Sequence, residues 1–137
     1  MTTINAKNGE FVNLINGLFA IQELPGKDFS LVVSRNIAIL KENLKEIEEA
    51  GVPSTEFMEL ANQVNEIANT NSEDSKDQID KLEKDNQELV DSRRAQMDKI
   101  QEMMEEKTSM DLHILSEAVL PEEITAKQIN NILKIIK

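Results

Sequence analysis

Residues 10–40, "EFVNLINGLFAIQELPGKDFSLVVSRNIAIL", decide the fold, and the decision turns on Pro25-Gly26-Lys27. After a strand, a glycine-rich loop ending in Gly-Lys-Ser/Thr would cradle a phosphate. Between two helices the same residues are only a turn. The residues upstream settle the matter. Phe11, Leu14, Ile15, Leu18, Phe19 and Ile21 recur near the i, i+3, i+4, i+7 spacing of one helix face. Only one Gly is present in the loop, and Asp28 follows Lys27. Pro cannot continue a helix and Gly permits the positive φ of a turn, so the stretch reads as helix–turn–helix. Gly17, inside the first helix, costs up to about 1 kcal/mol relative to Ala; such a Gly often marks close approach of another backbone, with chance as the alternative.

Downstream, Val33, Ile37, Leu40, Leu44 and Ile47 step by four, three, four and three, a heptad-like stripe closed by Gly51 and Pro53. Ser54 or Thr55 caps a third helix with Phe57, Leu60, Ala61, Val64, Ile67 and Ala68 on one face. "NTNSEDS", residues 69–75, is a turn. From Lys76 to about Lys107 no Gly or Pro occurs and charges alternate, so one long helix is expected. Ile79, Leu82, Asn86, Leu89, Ile100 and Met103 share its a/d register, with Arg93 and Gln96 interrupting the middle. An Asn at a core position fixes register and oligomeric state. This stripe is the candidate interaction site, covered by residues 33–47, by a second copy or by a partner. "LHILSEAVLP" is strand or short helix. The last helix begins at Thr125, whose capping box uses Gln128, and buries Ile129, Ile132, Leu133 and Ile136.

The expected fold is therefore all-α: a bundle or hairpin of about five helices, one of them long, charged and coiled-coil-like, with no sheet of more than two short strands. It forms one domain overall, in three stretches: a helical region 1–70, the acidic helix 71–110 and an apolar C-terminal segment 111–137. The core must be Leu, Ile, Val and Met, since Trp, Tyr and Cys are absent and only four Phe occur. Without Cys there are no disulfides and no thiol chemistry.

The net charge is −11, of which residues 37–110 carry −10. Such an excess repels phosphates and anionic lipid, so no direct nucleic-acid or membrane contact is expected. No signal peptide is expected, since "MTTINAKNGEF" lacks a basic stretch followed by an apolar one, and no apolar run is long enough to span a bilayer.

Chemistry-bearing constellations are sparse. His113 is the only histidine, without a nucleophile patterned around it, and reads as a half-buried or interfacial imidazole. The pairs Glu42/Glu46 and Glu102/Glu106 lack the Glu-x-x-His of a di-metal bundle and read as solvated faces. Arg93-Arg94 could grip an acidic partner, but reads first as local ion pairing with Asp91 and Asp98. Met97, Met103, Met104 and Met110 form a denser methionine group; Met suits adaptable or irregular interfaces, and core filling is its commoner use. No catalytic, cofactor or metal residue is expected.

Two Leu-Pro elements carry a resemblance. Leu24-Pro25-x-Lys27 leads to Val33-Ser34-x-Asn36-Ile37, and Leu120-Pro121-x-x-Ile124-Thr125 precedes the last helix. In these the chain resembles small helical proteins of tailed bacteriophages, over about the first third and last fifth of its length. The resemblance implies phage origin and a non-catalytic role; the heptad registers and the apolar terminal helix add the expectation of a part in viral assembly or of an oligomeric adaptor, in host cytoplasm or virion. The partner would be a phage or host protein, a further copy of the chain, or both. The alternative is an anti-host inhibitor that binds a basic protein as a nucleic-acid mimic.

Overall fold

A computed structural model describes residues 1–137. The chain runs β1 (Thr2–Lys7), α1 (Asn8–Ile21), α2 (Lys27–Asn43), α3 (Lys45–Ala50), α4 (Thr55–Thr70), α5 (Ser75–Asp85), α6 (Gln87–Glu105), β2 (Lys107–Leu112) and α7 (Ala126–Asn131). Short 3-10 turns lie at Glu117–Val119 and Leu133–Ile135. Helices account for 69% of residues. The chain is thus broadly helical without being purely all-α: seven helices, where about five were expected, accompany one antiparallel pair of short strands, which is within the two strands that the sequence reading allowed. Each strand is six residues of modest apolarity, and its partner is about a hundred residues distant, so neither carries a strong local signal.

The chain forms two compact units, Met1–Ile47 with Glu102–Lys137, and Glu48–Gln101. Their borders fall inside α3 and α6, whereas the boundaries expected near residues 70 and 110 followed changes of composition.

In the first unit, α1 is the central element. Phe11, Leu14, Leu18 and Ile21 are essentially inaccessible to solvent. Its N-terminus is closed by Glu10, whose carboxylate accepts from the Lys7 N–H at 2.9 Å. The turn that follows is a helix–helix connection: Leu24 N–H donates to the Ile21 carbonyl, and Gly26 precedes α2 at φ 121°, where a side chain would be strained. α2 contributes Phe29, Val33 and Leu40 to the core, with Leu44 at its end. Lys41 sits over the Phe19 ring, 5.7 Å from its centre. Gly17 is the predicted close approach: a Cβ there would lie 3.0 Å from Asn131 Cβ and 3.1 Å from its carbonyl oxygen.

β1 and β2 pair with Ile4 opposite Met110 and Ala6 opposite Thr108. Ala6, Met110 and Leu112 point into the core, while Thr3, Asn5 and Lys7 face solvent. Leu115 forms an isolated parallel bridge with Ile136. The Thr125 capping box is present as expected, at 3.2 and 3.0 Å. The helix nevertheless stops at Asn131 and tightens into a 3-10 turn. That change of pitch shifts the phase, so Ile132 and Ile135 are buried and Leu133 is 57% exposed.

Candidate functional site: the helical hairpin

The second unit is built on α4 and α5, packed together and joined by residues 71–74, a connection short enough to make them antiparallel. Ser54 caps α4 by accepting from the Phe57 N–H at 3.1 Å. The turn is a hydroxyl cluster. Asn71 takes the left-handed conformation at φ 55°, and the Thr70 and Ser75 hydroxyls both donate to the Ile67 carbonyl.

Along α4, Phe57, Ala61, Val64 and Ile67 are half-buried, Leu60 is buried, and Ala68, expected in the stripe, is exposed. Along α5 and α6, Ile79, Leu82, Asn86, Leu89, Arg93, Gln96 and Ile100 are all half-buried; Met103, half-buried as well, belongs to the first unit. α4 is packed against α5, so an element other than residues 33–47 supplies cover here.

Three features differ from expectation. The long helix is interrupted at Asn86, which ends α5; its side-chain amide donates to the Leu82 carbonyl at 2.9 Å. An Asn four residues after a carbonyl competes for the backbone bond that would continue the helix. The Asn86 side-chain amide is thus engaged within its own helix. Second, Arg93 and Gln96 do not break the stripe. Arg93 donates to the Gly51 carbonyl at 3.0 Å and to Gln96 Oε1 at 2.8 Å, and lies 5.7 Å from the centre of the Phe57 ring. Gln96 donates to the carbonyls of Ala50 and Val52 at 2.6 and 2.8 Å. Together they occupy the free carbonyls where α3 ends. Local pairing with Asp91 describes only Arg94, at 4.0 Å and exposed. Third, the methionines differ in setting: Met97 is 48% exposed, Met103 and Met104 are half-buried, and Met110 is buried in β2.

Elsewhere, no three His, Asp or Glu side chains converge as metal ligands. The His113 ring is half-buried, and its backbone matters more. Its N–H donates to Asn36 Oδ1 and its carbonyl accepts from Asn36 Nδ2, both at 2.8 Å. Asn36 is fully buried in α2, where the sequence pattern favoured Ile37, which is only half-buried. An amide side chain can pair with a peptide group as another strand would, so the polar residue takes the inner position. An open groove lies along α1 and α7, with Gly17 and Ala20 in its lining and a Glu10–Lys134 ion pair of 3.1 Å beside it.

Fourteen carboxylates and six basic side chains in the hairpin unit leave it at −8, against −3 for the first unit. No helix is long and apolar enough to cross a membrane. No family model, curated protein or solved structure matches the chain.

Proposed function

We propose that this is a non-catalytic interaction protein, phage-encoded, serving virion assembly or acting as an oligomeric adaptor in the host cytoplasm or the virion. The first unit is the folded base, and the hairpin is the part that engages a protein partner. The observation that carries this reading is the incomplete burial of the hairpin. Leu60 is its only fully buried residue, while Ile79, Leu82, Leu89 and Ile100 keep part of their surface in water. Completing the burial of Leu82 and Leu89 supplies at most about 1.5–3 kcal/mol each to a complex. A coiled-coil contact along this register, with charged residues flanking it, is the geometry such a stripe suits.

The test is capture of partners from co-expressing or infected cells, identified by mass spectrometry and reconstituted with purified components. The parent protein is expected to bind the reconstituted partner, and Leu82→Lys/Leu89→Lys to lose it while keeping the parent's far-UV circular dichroism. A folded double variant that binds as well as the parent refutes the stripe as the contact.

The charge of −8 on the hairpin favours one second reading, inhibition of a basic host protein. It requires competition with DNA for that protein without contact to DNA. Lys76, Lys81 and Lys84 interrupt the negative surface and weigh against mimicry.

A further inference from the structure

We infer that the free edge of β2 is the contact of a symmetric homodimer, two copies pairing antiparallel about Ser109. This surface belongs to the first unit and is independent of the hairpin stripe.

The Asn8 N–H donates to the Glu106 carbonyl at 2.9 Å, directly continuing the register of β1 on β2. Hydrogen-bonded pairs alternate in an antiparallel ladder, so they fall at Ala6–Thr108, Ile4–Met110 and Thr2–Leu112. The N–H and C=O groups of Lys107, Ser109 and Asp111 therefore face away from β1, and the sheet has no third strand to receive them. An edge of this kind is a template for another strand. It has a defined end, because the next outward residue, His113, is already paired with Asn36. The outer edge of β1 is poorer, since the Lys7 N–H is taken by Glu10.

The occupant follows from the side chains. Antiparallel pairing about Ser109 sets Lys107 opposite the partner's Asp111, and Asp111 opposite the partner's Lys107. It also matches every outward N–H with a carbonyl. Within one chain neither charge has an ionic partner: Asp111 accepts from the Thr3 hydroxyl, and Lys107 stands across from Lys7. Opposite charges directly across a ladder stabilise it and like charges oppose it. The edge is self-complementary, so a second copy of this chain fits it.

The experiment is sedimentation or light scattering over a concentration series. The parent is expected to dimerise. Lys107→Asp alone and Asp111→Lys alone are each expected to be monomeric, because each places like charges across the contact. Mixing the two single variants is expected to restore a dimer, since the carboxylate introduced at position 107 of one copy then faces the ammonium introduced at position 111 of the other. Ser109→Pro removes an outward N–H that β1 does not use, and should also give a folded monomer by circular dichroism. A parent that stays monomeric overturns the proposal and leaves the edge to a foreign strand. A dimer that persists in both single variants and in Ser109→Pro also overturns it.

Discussion

Asn36 joins α2 to the end of β2 through two hydrogen bonds, and it is buried without an unmet polar atom. Removing it strands the His113 N–H and carbonyl together. Asn36→Ala is therefore expected to cost about 2–4 kcal/mol in a denaturant titration, more than a solvent-facing Asn→Ala change. Glu10 offers a pH test. Its carboxylate is held below the usual glutamate range first by the Lys7 N–H and then by Lys134. The folded chain thus protonates there less readily than the unfolded chain. The stabilisation is present above the ordinary glutamate pKa and is lost as pH falls through the lowered value. Glu10→Gln should melt slightly below the parent at neutral pH and converge with it in acid. Lys7 is the mirror case: hydrogen bonding to Glu105 raises its pKa, so its contribution is present below the ordinary lysine pKa and fades as pH climbs through the raised value. Both groups are exposed, so the effects are small.

At the scale of elements, the interruption at Asn86 and the carbonyls held by Arg93 and Gln96 define the hairpin unit. Asn86→Leu is expected to extend α5 toward α6 and raise helix content, read by far-UV circular dichroism. Arg93→Ala removes a bond to Gly51 and a ring contact on Phe57, and should cost about 1–2 kcal/mol. Hydrogen exchange through Gly51–Thr55 should speed up in that variant. Much of this level was legible in the sequence. The α1 face, the Leu24–Gly26 turn, the Ser54 and Thr125 caps and the residue 71–74 turn follow from local spacing and local hydrogen-bond chemistry. What was not legible depends on distant partners. Arg93 reads as a break until the carbonyls around residue 51 are beside it, and Asn36 reads as surface until His113 is. The candidate stripe was legible as a line of positions, but its cover by α4 was not, because periodicity names a face without naming its neighbour.

For the whole molecule, the two units differ in kind. One has a continuous core around α1, and the other has a single buried residue, Leu60. Opening free energies track buried contact, so amides of α1 and β2 should exchange far more slowly than those of α5. Mass-spectrometric hydrogen exchange on the isolated chain checks this. Equal protection in α1 and α5 would mean that the hairpin is covered by something other than α4, such as a further copy. The sheet belongs to this level too, since Thr2 and Leu112 meet only when the ends of the first unit come together.

That pairing also orders events during translation. β1 and α1 are made before Met110, Leu112, Leu115 and Ile132, with which they share a core and which follow about a hundred residues later. At about 5–20 residues per second, the apolar face of α1 waits roughly 5–20 seconds for its strand and C-terminal cover. The hairpin needs only neighbours in sequence and can close while the ribosome is still at work. The newborn chain therefore passes through a stage in which its weaker unit is formed and its stronger one is open, with Phe11, Leu14 and Leu18 exposed to chaperones and to other nascent copies.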